Sequence, residues 1–414
     1  MYLQKHLVII LTILVSTLSC SSYDNHNQHR EPTRALLAKN RPKPHRVNVD
    51  HYGAMANGGD DSKAFMEAWM NACNSSDISE FVVPRNKVYH LKPITFSGPC
   101  KSNVRVKVYG TIKASSHLSD YEEDRRHWII FEDLENLVVD GGGTINGNGR
   151  IWWIRSCKVD ETQPCLGAPT ALTFNNCTNL NVNHIRIKNP QQMHLTFQNS
   201  VNVRASDLKI IAPAKSPNTD GIHISGSQNV RVFNSVVRTG DDCVSIVSGS
   251  TNIVIKEIKC GPGHGISIGS LGKNNSDDKV SNILVDNAII SNTTNGVRIK
   301  SWQGGSGYAR NIKFQNIMMH NVTNPILIDQ NYCDQKEACQ EQYSAVQIQN
   351  VVYRNISGTT NSKLAINFDC SKTFPCQSIS LDNIALNRVG AEENMKASCS
   401  NVKLNTIGTV TPRC

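Results

Sequence analysis

The feature that most restricts how this chain can fold is a phrase that keeps returning. It consists of an asparagine, a short alternation of valine, isoleucine or leucine, a polar turn, and a second short apolar run. It reads NVRVKVYGTIKA at 103–114, NLVVDGGGTING at 136–147, NLNVNHIRIKNP at 179–190 and NVRASDLKIIAP at 202–213. It continues as NVRVFNSVVRTG at 229–240, NIVIKEIKCGPG at 252–263, NILVDNAIISNT at 282–293 and NIKFQNIMMHNV at 311–322. From Asn179 onward the starts lie 23, 27, 23, 30 and 29 residues apart, so the phrases are alike without being equal in length. Runs of three to five β-branched residues are strands too short to bury a face alone, and no helical spacing separates them into βαβ units. A solenoid resolves this: each repeat makes one turn of about three strands, and successive turns stack into parallel sheets. The recurrent asparagines suit amide ladders at the bends. A β-propeller or sandwich is the competing architecture, but a four-stranded blade needs roughly 40 residues. The expected fold is therefore all-β, a single-domain parallel β-helix over residues 47–414.

Such a helix needs covers at its open ends. GGDDSKAFMEAWMNAC (58–73) supplies an N-terminal capping helix, with Asp61 as N-cap and an apolar stripe at Phe65, Trp69 and Met70. Residues 1–22 have a lysine near the start, an apolar run from Leu7 to Leu18 and then small residues. This is the pattern of a signal peptide, and the run is short for a membrane span. Residues 23–46 are polar, basic and proline-containing and read as a flexible arm or pro-segment.

Export agrees with the cysteines. Of fourteen, Cys20 falls in the leader. Cys157/Cys165, Cys243/Cys260, Cys333/Cys339, Cys370/Cys376 and Cys399/Cys414 form close pairs, and Cys73/Cys100 can make a sixth, leaving Cys177 over. No pair of CxxC sequences occurs at zinc spacing. Six Asn-x-Ser/Thr sequons (Asn74, Asn176, Asn274, Asn292, Asn321, Asn355) would be glycan acceptors in a secreted protein. The net charge of +9 is uneven: residues 1–46 hold seven Lys/Arg against two acids, leaving only about +4 on the body. Nucleic acid is a poor partner for such a chain, which has no recognisable reading module. A monomer that leaves the membrane after signal removal is expected.

The spacing of the acids gives the solenoid a chemical use. Residues one coil apart share an azimuth and lie about 4.8 Å apart along the axis. Asp220 in NTDG, Asp242 in GDDC and His264 in GHG are 22 residues apart in turn, so these motifs should stack on one face. The next coil brings Arg298 and Lys300, two apart in a strand and therefore pointing the same way. Clustered acids cannot all ionise easily, so one stays protonated. Glycoside hydrolysis needs this asymmetry, an acid for the leaving oxygen and a carboxylate for water or for attack. His264 could hold the acid in its protonated state by hydrogen bonding, and Arg298 and Lys300 could grip an anionic substrate. Taken singly, each motif reads as ordinary turn or surface chemistry. Asp241 and Asp242 could also seat Ca²⁺, against which the two cations count. Trp152 and Trp153 could stack on a sugar or fill the space beneath a loop, and packing is the favoured reading.

At these residues the chain resembles the polygalacturonases of plants, glycoside hydrolase family 28. NTD (218–220), GDD (240–242), GHG (263–265) and RIK (298–300) stand in the family's order, and the similarity runs over most of residues 47–414, including CGPGHGISIGSLG. The resemblance implies a right-handed β-helix, an inverting mechanism and no cofactor or metal. It implies Asp241 as general acid, Asp220 and Asp242 as the groups that position and activate water, and His264 as the partner of the acid. Asn218 would order the cleft, while Arg298, Lys300 and Tyr332 would hold a galacturonate carboxylate. Inversion requires a carboxyl separation of roughly 6.5–9.5 Å, which coil spacing alone does not establish. The substrate implied is polygalacturonate, or pectin, at the cell wall, with endo cutting favoured by SWQGGSGYARNI. A pectate lyase, or a wall-binding β-helix without catalysis, are the alternatives.

Overall fold

The computed structural model describes residues 43–335, 339–390 and 395–414. The expected leader, and the expected arm as far as residue 42, lie outside the described residues. The first strand, His45–Asn48, begins two residues inside the stretch expected as an arm and pairs in parallel with Ser79–Val83. From there the chain winds as a right-handed parallel β-helix. One wall is an eleven-stranded sheet, counted among the described residues, in which each coil adds its strand beside the previous one from Ile94–Ser97 to Lys396–Ser400. The other walls merge into an eighteen-stranded sheet through long bent strands such as Asp277–Ser291 and Ser306–Val322.

The register explains why β-branched residues recur. On the eleven-stranded wall, Leu195, Ile222, Val244, Ile266, Val297 and Ile326 are stacked partners facing the interior, as are Phe197, Ile224, Ile246, Ile268, Ile299 and Ile328. All are buried to within 1%. Each such side chain contributes about 1.5–3 kcal/mol when withdrawn from water, and the period of two sends every intervening residue outward. The bends use asparagine. Asn136, Asn179, Asn202, Asn229, Asn252, Asn282, Asn311 and Asn350 all have φ between 50° and 60°. From Asn179 onward each Nδ2 donates to the Oδ1 of the preceding coil's asparagine at 2.8–3.2 Å. Asparagine tolerates the left-handed backbone that the corner imposes, and its amide both donates and accepts, so it can stack on itself indefinitely.

Helix α1 (Ser62–Asn74) covers the first coil by burying Ala64, Phe65, Ala68, Trp69 and Ala72. The Trp69 ring lies 5.1 Å from that of Phe96 and 5.7 Å from that of Phe131. Two details of the expected cap are corrected. Met70 is 49% exposed and takes no part in the stripe. Asp61 stands at the N-cap, but its carboxylate accepts from the amides of Met55, Ala56 and His90 instead of from the helix's own first turn. The six expected disulfides are formed, and Cys177 is the free cysteine among the described residues. It is buried, which pushes its thiol up to about 11 and keeps it inert at neutral pH. Trp152 packs edge-on against Tyr121, and Trp153 donates to the Pro190 carbonyl at 2.9 Å. Among the described residues no helix is long and apolar enough to cross a membrane.

Candidate active site

The site is built at the turns that enter three adjacent strands of the eleven-stranded wall. Ile222–Ser225, Val244–Ile246 and Ile266–Leu271 pair in register, Ile222 to Val244 to Ile266. Asp220, Asp242 and His264 each lie two residues before these partners, so the coil spacing stacks them. The motif glycines make the turns possible. A Cβ on Gly240 would run into the Ser216 carbonyl, and Gly265 (φ +84°) sits against the backbone of Asn295 and Gly296. Backbone bonds tie the turns together: His264 N–H donates to the Asp241 carbonyl at 2.7 Å and Gly221 N–H to the Asp242 carbonyl at 2.8 Å. The Cys243–Cys260 disulfide pins the strand that follows GDD.

All eight side chains singled out in the sequence, Asn218, Asp220, Asp241, Asp242, His264, Arg298, Lys300 and Tyr332, line one cleft of about 570 Å³. Their pairings differ from a simple stack. Asp242 is 1% exposed and turns toward the cations: Arg298 Nη2 lies 2.9 Å from its Oδ1 and Lys300 Nζ 3.1 Å from its Oδ2. Ser267 Oγ donates to the same carboxylate at 2.8 Å. His264 therefore meets Asp241, not its register partner Asp242, with Nδ1 3.1 Å from Asp241 Oδ1. The other oxygen of Asp241 accepts from Asn218 Nδ2 at 3.4 Å. Tyr332 stands 5.3 Å, ring centroid to ammonium, from Lys300 and edge-on to Trp302.

The electrostatics follow from these contacts. Burial, and then the charges of Asp241 and Asp242, push the Asp220 carboxyl well above the usual carboxylate range. Burial acts on Asp241 in the same sense, but the hydrogen bond and charge of His264, aided by Lys300, outweigh it and hold that carboxyl below its ordinary value. His264 thus favours the ionised form and does not hold the acid protonated as expected. The same hydrogen bond raises His264. The cluster thus separates its carboxyls: Asp220 has a raised proton affinity, whereas Asp241, paired with His264, has a lowered one. Burial raises the Tyr332 phenol to about 12, so it enters the cleft as a neutral donor.

Sequence reasoning missed a second row. Thr196, His223, Ser245, Ser267 and Arg298 are cross-strand partners on the outward face, and His223, Ser245 and Arg298 line the cleft. His223 Nδ1 lies 2.8 Å from Ser245 Oγ, which donates to Asp220 Oδ2 at 2.8 Å. Burial lowers His223 to about 4, so its ring is neutral. Behind it, the wholly buried His194 donates from Nδ1 to the Asp220 carbonyl at 2.9 Å. A signal for this row was present: the residue three after each stacked group is polar between two aliphatics, as in IHI, VSI and ISI.

Asp241, Asp242 and His264 offer ligand atoms within 4.8 Å of one another and are the residues here that could hold a metal ion. Asp242 is already occupied by Arg298, Lys300 and Ser267, and two adjacent cations oppose a divalent ion.

A family model described as Glycosyl hydrolases family 28 matches residues 73–410. The chain is 56% identical to polygalacturonase QRT2 of Arabidopsis thaliana over 94% of its own length and 90% of the relative's. It is 55% identical to polygalacturonase-2 of Solanum lycopersicum over 89% and 80%. Among solved structures, a polygalacturonase from Erwinia carotovora superposes with a TM-score of 0.71 at 20% identity, over 88% of this chain and 98% of that one, which speaks to the fold. A β-helix with this cleft, a family match across most of its length and relatives more than half identical lead to one conclusion: the chain belongs to glycosyl hydrolases family 28.

Proposed function

We propose that the protein is a secreted, endo-acting polygalacturonase that hydrolyses α-1,4-galacturonosyl bonds of homogalacturonan in the plant cell wall, with inversion at the anomeric carbon. The observation that carries this is the juxtaposition, in one cleft, of three carboxylates with His264, Arg298 and Lys300. In this reading Asp241, the acid that His264 and Asn218 aim into the cleft, protonates the leaving oxygen. Asp220 and Asp242 hold and activate the attacking water. Arg298, Lys300 and the Tyr332 hydroxyl take the uronate carboxylate.

The resting charges support a link between binding and protonation. Lys300 lowers the affinity of Asp241 for a proton. A galacturonate carboxylate seated on Lys300 and Arg298 would cancel that charge, letting Asp241 regain its proton only when substrate is present. Endo action is supported by a second hollow of about 240 Å³ that shares Pro217 and Asn218 with the cleft and carries Arg125 and Arg155. It offers room and positive charge for sugars beyond the scissile bond. The plant relatives' names support the substrate class.

The test is incubation of the purified protein with polygalacturonate, scoring reducing ends, ultraviolet-absorbing unsaturated ends and the first-formed anomer by NMR. Reducing ends with a β-configured hemiacetal and no such absorbance are expected. Unsaturated ends that disappear with a chelator would point to a lyase, and retention on pectin without any cleavage to a binding protein.

A further inference from the structure

One ion pair reaches far along the chain. Lys158 Nζ lies 2.6 Å from Asp334 Oδ1, joining residues 176 apart. The pairs of Asp242 with Arg298 and Lys300, by comparison, join positions 56 and 58 apart, and Lys107–Asp140 joins positions 33 apart. Lys158 belongs to the segment before strand Thr170–Asn175, and Asp334 follows strand Asn324–Asp329. In the eleven-stranded wall those strands are six steps apart, with Leu195–Gln198, Ile222–Ser225, Val244–Ile246, Ile266–Leu271 and Asn295–Ser301 between them. At about 4.8 Å per step the loop roots are roughly 29 Å apart. The intervening coils are those that carry Asp220, Asp241, Asp242 and His264. Both Lys158 and Asp334 line the same cleft as these acids. Each directly follows a half-cystine of a short disulfide loop, Cys157–Cys165 and Cys333–Cys339, which limits how far either end can wander.

The geometry points to Lys158 and Asp334 as determinants of the pattern of cutting: together they form a strap along the catalytic cleft that retains a bound polysaccharide between successive cleavages. This rests on the polygalacturonase reading and extends it to the mode of attack. The two side chains are about half exposed (46% and 48%), so the bond between them is weak. Weakness suits the role. A chain entering from the side can part the strap at little cost, and once it is seated the strap lengthens its stay without touching the scissile bond. A retained chain is cut again before it leaves, so short oligomers accumulate while most of the polymer is still long.

The experiment compares the unaltered protein with Lys158→Ala, Asp334→Ala and the charge-reversed double variant Lys158→Asp/Asp334→Lys. Early products from long polygalacturonate are sized at equal, low conversion, and kcat is measured on a short oligogalacturonate. Both single variants should shift early products several-fold toward long fragments, with kcat on the short oligomer unchanged and the unaltered profile restored in the double variant. The strap is overturned if all four proteins give one product profile. It is equally overturned if Lys158→Ala raises KM while Asp334→Ala changes nothing, because the lysine would then be a substrate contact in its own right. Absence of cleavage by the unaltered protein would instead overturn the polygalacturonase reading, and the strap with it.

Discussion

Two turns of the same coil are treated in opposite ways. At the asparagine bend, like stacks on like: eight amides in a row, each after the first donating to the one before it. At the cleft, the same one-coil register stacks Asp220, Asp242 and His264, and the carboxylates cannot satisfy one another. The amide ladder needs nothing from outside itself, because each group is both donor and acceptor. The acidic stack needs Arg298, Lys300, Ser245 and Ser267, all delivered by the next strands of the same wall. The difference teaches where to look in a solenoid. A column of self-complementary residues holds the coil, whereas a column that leaves charge to be balanced by its neighbours is where chemistry can be done.

The comparison breaks most sharply at Asp241. Asp241→Asn keeps the shape of the turn and the contact with Asn218 but removes the proton that the leaving oxygen needs. We expect kcat on polygalacturonate to fall by about 10²–10⁴-fold, the usual contribution of a positioned acid, with the thermal midpoint nearly unchanged. Near-normal release of reducing ends would remove Asp241 from the role of acid.

The His264–Asp241 pair gives a smaller effect with a defined sign. His264 is raised above the ordinary histidine value, chiefly by its hydrogen bond to Asp241. A group with a raised folded-state pKa contributes fully below its unfolded value, near 6.5, and loses that contribution as pH climbs through the folded value. The charged hydrogen bond from His264 to Asp241 should therefore be lost above the free-histidine range, and activity that depends on this pair should fall with it on the alkaline side. His264→Gln should abolish that limb and lower kcat by roughly tenfold, the low end for a lost charged hydrogen bond, since the ring is 39% exposed. An unchanged alkaline limb in the pH profile of kcat/KM would assign the titration to another group.

Much of this was legible in the sequence, for a physical reason. A solenoid converts separation along the chain into position in space, so a constant 22-residue interval becomes a stack. The asparagine starts at 136, 179, 202, 229, 252, 282 and 311 are all rungs of one ladder. What the interval cannot convey is the direction of a side chain within its turn. Asp241 and Asp242 are neighbours in sequence and line the same cleft, yet one turns to His264 while the other turns to two cations. That choice is made by contacts with Arg298 and Lys300, two coils further along the wall. Asp61 was misjudged for the same reason: its oxygens were claimed by the amides of Met55 and His90, groups outside the helix it precedes. The Lys158–Asp334 contact, between loops of irregular length, carries no periodic signal at all.

The smallest effect expected is at the ladder, and it separates backbone from side chain. Asn252 donates to Asn229 at 3.2 Å, accepts from Asn282 at 3.0 Å and holds φ at +58°. Asn252→Ala removes both hydrogen bonds and places a Cβ-bearing residue without a compensating amide in the left-handed region, a loss of about 2 kcal/mol in stability. Asn252→Gly removes the same hydrogen bonds but suits that backbone, so its loss should be nearer ~1 kcal/mol. Urea titration of the two variants measures the difference, and kcat should be unaltered in both because the ladder shares no side chain with the cleft. If Ala and Gly cost the same, the asparagines are kept for their amides alone. If either variant lowers kcat, the bend and the cleft are mechanically coupled, and the division of labour between the two columns fails.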